Sequence, residues 1–128
     1  MPLAYAKDDA KRRISVEVSD PYDAADLRAL VDRQIEDDAW TYGMLYDARQ
    51  VSTALATDDL RAVMEHVGRL VKQLGPRGPV AIVTRSGALV GVTQIYAFFG
   101  AKIGLRVESF WDLADAQTWL DERMDRGR

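Results

Sequence analysis

The fold is decided by the segment TDDLRAVMEHVGRLVKQLGPRGPVAIV, residues 57–83. Its first part predicts an amphipathic helix, because apolar residues recur at steps of three and four: Leu60, Val63, Met64, Val67, Leu70, Val71 and Leu74. We expect Thr57 to cap the start of this helix and Gly75-Pro76 to end it. The uninterrupted apolar run at 80–83 then predicts a strand of a parallel sheet, covered on both faces.

Upstream, the N-terminal residues predict an antiparallel hairpin. Ile14, Val16 and Val18 alternate with polar residues, which is typical of a strand with one buried face. Residues 3–6 form a shorter apolar run, and the charged segment 7–10 separates the two runs. We therefore expect residues 3–6 to form an antiparallel edge strand of the sheet.

A helix and a buried strand are predicted between this hairpin and the segment 57–83. Asp23 and Asp26 mark the start of the helix, because both carboxylates can accept hydrogen bonds from unpaired N–H groups of the first turn. The apolar stripe of this helix consists of Ala24, Leu27, Leu30, Val31 and Ile35. The short apolar run 44–46, which ends at Asp47, predicts the strand.

Beyond residue 83, the chain predicts an apolar helix, a strand and a final helix. The apolar helix spans 88–99 and ends at Gly100. The strand spans 105–108, Asp112 caps the last helix, and the charged residues 121–128 are expected to fray. Strands that alternate with helices indicate an α/β fold, here a mostly parallel sheet of about five strands with an antiparallel N-terminal edge strand and about four helices.

The composition fits a single globular domain that spans residues 1–128. The chain has 48% hydrophobic residues and no cysteine, so a core can form without disulfides, and thiolate zinc sites and cysteine nucleophiles are excluded. A net charge of -3 argues against a nucleic-acid partner. The N-terminus lacks the apolar segment of a secretory signal, and the run 88–99 is too short to span a membrane. We therefore expect a soluble cytoplasmic protein.

Several strand ends and helix starts carry the motifs of one family. They are YDAR at 46–49 before TDDL at 57–60, the strand 80–83 before LVG at 89–91 and YAFF at 96–99, and the closing FWDLADAQTWL at 110–120. In these motifs the chain resembles, over nearly its whole length, the SpoIIAA-like branch of the STAS superfamily. That branch includes anti-sigma-factor antagonists and small bacterial proteins that are also compared with Sec14-type lipid-binding domains. The resemblance implies a non-enzymatic bacterial domain that acts through protein association, as a homodimer and in regulation.

The helix start at residues 56–60 departs from the pattern of the phosphorylated antagonists. Those proteins resemble one another in an Asp-Ser-Ser-Gly-Leu-like start whose serine receives phosphate, whereas this chain has Ala-Thr-Asp-Asp-Leu. A phosphate on Thr57 would be repelled by Asp58 and Asp59. We therefore expect Thr57 to be an ordinary N-cap and not a phosphorylation site.

No catalytic or metal site is predicted. His66 is the single histidine, and its position opposite the apolar stripe of its helix predicts that it faces solvent. The adjacent acid pairs 8–9, 37–38 and 58–59 lack an EF-hand loop, and the sequence has no glycine-rich phosphate loop. We therefore expect no enzymatic activity, no metal and no cofactor.

Four polar residues follow two of the predicted parallel strands. Arg85 and Ser86 connect the strand 80–83 to the apolar helix, while Arg49 and Ser52 follow the preceding strand. The carboxyl ends of parallel strands meet at one edge of a sheet, where the N-terminus of a helix favours an anion. These residues are therefore candidates for binding a small anion, and the alternative is an ordinary turn and helix start.

The predicted helix 88–99 raises the main functional question. Nine of its twelve residues are apolar, so it needs cover on more than one side. Three explanations are open: the monomer buries the helix completely, a second copy of the chain covers part of it, or the helix lines an apolar ligand cavity. Val90, Ala97 and Phe98 are the candidate interface residues.

The sequence supports two hypotheses of function. The first is a protein-association domain in the form of a homodimer, as the resemblance implies. The second is a carrier or sensor that holds a small apolar or anionic ligand between the carboxyl ends of the strands and helix 88–99. Fold alone does not name the protein partner or the ligand.

Overall fold

A computed structural model describes residues 2–52 and 55–126 of the chain. In chain order, the elements are β1 (Leu3–Asp8), β2 (Arg13–Val18), α1 (Ala24–Glu36), β3 (Gly43–Asp47), α2 (Thr57–Leu74), β4 (Val80–Val83), α3 (Gly87–Lys102), β5 (Val107–Phe110) and α4 (Leu113–Arg126). This is the predicted order of strands and helices. The last strand begins two residues later than predicted, at Val107, because Gly104 with a φ of 78° turns the chain after α3 before pairing starts.

The five strands form one sheet in the order β1-β2-β3-β4-β5. β1 is antiparallel to β2, with Leu3 opposite Val18, and the other neighbours are parallel. The predicted α/β fold class is therefore confirmed, including the antiparallel edge strand. Each crossover steps to the next strand in the same direction, so crossovers of one hand put α1, α2 and α3 on the same face of the sheet. α4 follows the last strand and packs on the other face.

The face covered by α1, α2 and α3 is called the three-helix face. Its core alternates along the strands and contains Ile14, Val16, Met44 and Val80, with Leu30 and Val31 from α1 and Val63 and Val67 from α2. In α2, the predicted stripe packs against this core from Leu60 to Val71, but its last member, Leu74, is 47% exposed. The period of three and four therefore identified the buried side of α2 correctly.

The opposite face, called the α4 face, is smaller and is covered by a single helix. Leu45, Ala81 and Val83 pack against Ala116 and Leu120 of α4. α4 continues to Arg126, so the prediction that the chain frays from residue 121 is wrong for 121–126. One reason is an ion pair in which Nη2 of the buried Arg13 lies 2.5 Å from Oδ1 of Asp121.

The helix starts show one correct prediction and one error. Asp23 and Asp26 form a reciprocal capping box at the start of α1, in which each side chain accepts a hydrogen bond from the other residue's backbone N–H. The prediction that Thr57 caps α2 is wrong. The N-cap is Ala56, whose carbonyl accepts from the Leu60 N–H at 3.0 Å, and Thr57 is the first helical residue. Among the residues with described positions, no helix is long and apolar enough to cross a membrane.

Candidate functional site

An apolar cavity of about 100 Å³ lies between the sheet and the three helices that cover it. Its lining combines strand, helix and loop residues: Val18, Tyr22, Leu27, Val31, Tyr46, Ala48, Leu55, Leu60, Val63, Val80, Ile82, Leu89, Val92, Thr93 and Tyr96. Val18 and Ala48 lie at the carboxyl ends of β2 and β3, and α3 contributes one wall. Ligands of parallel sheets commonly bind at this edge.

α3 presents mainly hydrocarbon to the cavity. Leu89 and Val92 are apolar, and Thr93 donates its hydroxyl hydrogen to the Leu89 carbonyl at 2.8 Å. That hydrogen bond satisfies the hydroxyl donor within the helix. The polar groups that remain on this wall and on the sheet belong to tyrosines, among them Tyr46 and Tyr96.

A buried arginine lies next to these two tyrosines. Arg77 is only 5% exposed, and its Nε and Nη2 both donate to Oε1 of Gln34, at 3.1 and 2.8 Å. Gln34 in turn donates to the Ala39 carbonyl at 2.7 Å. Nη1 of Arg77 has no hydrogen-bond partner within residues 2–52 and 55–126. Arg77 is therefore held in place by a neutral amide.

The electrostatics of Arg77 and the two phenols are coupled. Burial lowers the pKa of Arg77, but the phenols of Tyr46 and Tyr96 raise it, and the net change is upward. Burial raises the pKa of Tyr96, and the positive charge of Arg77 opposes this change. At neutral pH the cavity therefore has neutral phenol groups on its wall and a guanidinium cation beside them.

Arg77 reaches this position because its loop approaches the chain at Tyr42. A Cβ atom on Gly78 would lie 2.1 Å from the Tyr42 carbonyl oxygen, which no side chain tolerates. Sequence reasoning did not identify Arg77 as a functional residue. Its position between two Gly-Pro pairs is typical of an exposed turn, and the one sequence signal for a close approach was Gly78 itself.

The four predicted anion-binding residues are placed at the carboxyl ends of β3 and β4. Arg49 forms a bidentate ion pair with Asp47, with Nε–Oδ1 and Nη2–Oδ2 distances of 2.8 and 2.7 Å. The hydroxyl of Ser52 donates to Oδ2 of Asp20 at 2.8 Å. Arg49 and Ser52 are therefore both hydrogen-bonded to carboxylates of the chain itself. Anion binding by Arg49 and Ser52 stays a prediction.

The other two predicted anion-binding residues differ from each other. Ser86 is the N-cap of α3, and its hydroxyl oxygen accepts from the Leu89 N–H at 3.4 Å. Arg85 is exposed, and its charge is one of the smaller contributions that lower the pKa of Asp47, after the hydrogen bond from Arg49. The Ser86 hydroxyl therefore acts first as a helix cap.

His66 lies between α1 and α2, and the prediction that it faces solvent is wrong. Its side chain is 21% exposed, and Nε2 lies 2.9 Å from Oδ1 of Asp32. The two helices pack side by side, so a residue at the flank of the α2 stripe contacts α1. His66 does not line the cavity.

The outer face of α3 is exposed. Phe98 is 61% and Ile95 is 40% exposed, whereas Val90 and Ala97 are half-buried. Complete burial of this helix within the monomer, one of the three explanations, is therefore wrong. α3 contacts α2 and β5 at the edge of the layer, which leaves its far side open. Lys102 covers part of the Phe98 ring, with Nζ 4.6 Å from the ring centroid.

The fold is similar to that of a solved bacterial protein. That protein is an uncharacterised member of the DUF3478 family from Shewanella loihica PV-4, and its crystal structure has a SpoIIAA-like fold. The two chains are 16% identical, the match covers 92% of this chain and 91% of the other, and the TM-score is 0.60. No protein-family model matches this chain, and no curated protein sequence matches it. The chain therefore has a SpoIIAA-like fold.

Proposed function

We propose that this chain is a non-enzymatic binding domain that holds a small apolar molecule in the cavity of the three-helix face. The observation that carries the proposal is the cavity itself, which is lined almost entirely by hydrocarbon and lies between the carboxyl ends of the strands and α3. Cavities of this kind, with a few polar groups on an apolar wall, are typical of small-molecule sites. This proposal corresponds to the second hypothesis from the sequence, a carrier or sensor of a small ligand, and specifies that the ligand is apolar.

The volume of the cavity limits the size of the ligand. A cavity of about 100 Å³ is somewhat smaller than an engineered apolar cavity of about 150 Å³ that stays dry and binds benzene. A ligand of that size, or a slightly longer one that reaches the cavity opening, fits best. Burial of its hydrocarbon in a preformed apolar space supplies the binding free energy.

The proposal assigns no catalytic role because the side chain whose ordinary pKa is nearest to neutral lies outside the cavity. The single histidine contacts Asp32 between α1 and α2, away from the cavity. The cavity wall carries phenol groups, and burial raises the pKa of two of them, Tyr22 and Tyr96, which makes them poor bases at neutral pH.

Binding of n-hexanol tests this proposal. The methyl groups of Leu89 and Val92, which line the cavity, should shift in methyl-labelled NMR spectra, while those of Leu45 and Leu120 on the α4 face should not. Val92→Phe fills the cavity and should abolish the shifts.

Val90→Phe is the matched control, because Val90 lies on the same helix but outside the cavity lining. This variant should bind n-hexanol as the parent chain does. Shifts of equal size on both faces of the sheet, or no shift of the Leu89 methyl groups at millimolar n-hexanol, would overturn the proposal.

A second candidate function is self-association through the outer face of α3. It is favoured by the exposed rings and chains of Phe98 and Ile95, which are unusual on one helix of a small domain. In this proposal the chain is a homodimer that acts through protein association, and the bacterial, cytoplasmic and regulatory roles implied by the resemblance belong to the same proposal.

Light scattering at high micromolar concentration tests self-association. A doubled mass that Phe98→Ser reduces to the monomer mass is the expected result. Trp111→Ser is the matched control, because Trp111 is equally exposed but lies outside α3. A monomer mass for the parent chain at every concentration overturns this second candidate.

A further inference from the structure

We infer that the ligand of the cavity carries a carboxylate, which accepts hydrogen bonds from the phenols of Tyr46 and Tyr96 beside the cation of Arg77. This inference rests on the proposed function and adds the chemical class of the ligand. Three observations carry it: a buried cation whose described partners are the neutral Gln34 amide and the Trp40 ring, the two cavity-lining phenols that act on it, and the contrast with the other buried arginine.

The charge of Arg77 has no carboxylate partner within the described parts of the chain. None of the ion pairs among these residues includes Arg77, and the groups that raise its pKa are the phenols of Tyr46 and Tyr96. Its hydrogen-bond acceptor is the neutral amide of Gln34. A buried cation without a counter-charge is costly, so an anion that arrives with the ligand is stabilised there.

The position of Arg77 connects this charge to the cavity. Tyr46 and Tyr96 line the cavity, and their phenols act on the pKa of the buried Arg77, which is not itself a lining residue. A phenol donates its hydrogen to a carboxylate, and a cation beside its oxygen strengthens that hydrogen bond. Hydrogen bonds from the two tyrosines to a ligand oxygen are therefore strengthened by the charge of Arg77.

Arg13 shows how this chain treats a buried arginine that has only a structural role. The Arg13 side chain is also buried, at 5% exposed, and its Nη2 pairs with the carboxylate of Asp121 at 2.5 Å. Among the residues that the structure describes, each arginine has one buried nitrogen without a hydrogen-bond partner, Nε in Arg13 and Nη1 in Arg77, so the difference between them lies in the counter-charge. On the α4 face the chain supplies that counter-charge, whereas on the three-helix face none of the described carboxylates pairs with Arg77.

The chemistry of the wall favours a carboxylate over a phosphate. The described lining residues are hydrocarbon apart from the hydroxyls of one threonine and three tyrosines, and Arg77, outside the lining, supplies one positive charge. A phosphate dianion would bring a second charge that nothing in the lining compensates, whereas a carboxylate on a short hydrocarbon brings one charge and an apolar body.

Hexanoate and n-hexanol distinguish the charge from the hydrocarbon. Both probes have the same alkyl chain, and the dissociation constants are measured from the methyl shifts of Leu89. We expect hexanoate to bind the parent chain about tenfold more tightly than n-hexanol at neutral pH. Arg77→Met should remove about that tenfold advantage and change the affinity for n-hexanol by less than about threefold.

Tyr96→Phe provides a second, milder variant. It removes one hydroxyl, keeps the ring in the cavity wall and leaves Arg77 in place, so it should weaken hexanoate binding by roughly fivefold and leave n-hexanol binding nearly unchanged. If Arg77→Met fails to fold, Tyr96→Phe decides the test. Leu120→Met, on the α4 face, is the control that should alter the affinity for neither probe.

The outcomes separate this inference from the proposed function. Equal affinities for hexanoate and n-hexanol, unchanged in both variants, overturn the carboxylate and leave an apolar site standing. Failure of both probes to bind overturns the proposed function itself. Tighter hexanoate binding that is lost in Arg77→Met and weakened in Tyr96→Phe supports the inference.

Discussion

Arg13 and Arg77 are both buried, on opposite faces of one sheet, and they are compensated in different ways. On the α4 face, Arg13 meets the carboxylate of Asp121, and its ion pair ties α4 to β2. On the three-helix face, Arg77 meets the amide of Gln34 and two phenols. The α4 face therefore pairs its buried cation with a carboxylate, while the buried cation of the three-helix face has only neutral partners among the described residues.

The two faces also differ in how closely their helices pack on the sheet. Leu120 and Ala116 of α4 are fully buried against the strands, whereas Leu89 of α3 borders the cavity. A buried leucine in a close-packed core contacts atoms on all sides, whereas a leucine beside a cavity lacks contacts on that side. The three-helix face therefore combines the larger hydrophobic core with a cavity, while the α4 face has a smaller core covered by one helix.

The largest expected difference between the two faces is in the free energy of unfolding that is lost when a leucine is shortened to alanine. Leu120→Ala leaves a void in a closed core and should lower the free energy of unfolding by about 4 kcal/mol. Leu89→Ala enlarges a space that already exists, so its cost should be nearer to 2 kcal/mol. Urea unfolding followed by circular dichroism measures both values. Equal losses in the two variants would show that the faces are equally closed, and the comparison would fail.

The two arginines provide the next test. Asp121→Asn leaves the buried Arg13 without its counter-charge, and because Asp121 is 62% exposed we expect a loss of about 1–2 kcal/mol. Arg77→Met removes a buried charge but leaves Oε1 of Gln34 without its donor, and these effects offset each other to within about 1 kcal/mol.

Urea unfolding of the two charge variants at neutral pH, with the parent chain as reference, gives the measurement. Leu120→Met is a control for side-chain changes that conserve volume on the α4 face. A loss for Arg77→Met larger than that for Asp121→Asn would mean that Arg77 is a structural residue, and the contrast between the faces would then be reversed.

Much of the architecture could be predicted from the sequence because it depends on local patterns. The stripe of α2 and the alternation of Ile14, Val16 and Val18 record which side chains face the core, and strands that alternate with helices imply a parallel sheet. The cap of α2 could not be fixed in this way. Ala56 and Thr57 are adjacent, and the pattern does not reveal at which of them helical geometry begins.

The candidate site was predictable only in part. The absence of a polar face on helix 88–99 pointed to the region where α3 borders a cavity on one side and exposes Phe98 on the other. Arg77 was not predictable, because its burial depends on the close approach of Gly78 to the Tyr42 carbonyl, between loops that are distant in sequence. Side-chain pairs such as Arg49 with Asp47 also depend on rotamers that spacing does not define.

The smallest effect should come from the ion pair of Asp47 and Arg49, which lies at the partly exposed edge of the sheet. The hydrogen bond from Arg49 is the largest cause that holds the pKa of Asp47 below its ordinary value of 3.8. The folded state therefore favours the ionised carboxylate. This stabilisation is present above the ordinary pKa of the carboxyl group and is lost as the pH falls through the lowered pKa. Asp47→Asn should lower stability at neutral pH by less than Asp121→Asn does, because the arginine left unpaired is Arg49, which is 32% exposed and can be hydrated, whereas Arg13 is 5% exposed.

Urea unfolding at neutral pH and at a pH well below 3.8 measures this dependence. The difference in stability between the parent chain and Asp47→Asn should shrink in acid, because the carboxylate of the parent is then protonated and the variant has nothing to titrate at this position. Arg49→Gln closes a double-mutant cycle that isolates the pair from the other contacts of each residue. A difference that persists unchanged in acid would mean that Asp47 contributes through its shape and neutral hydrogen bonds and not through its charge.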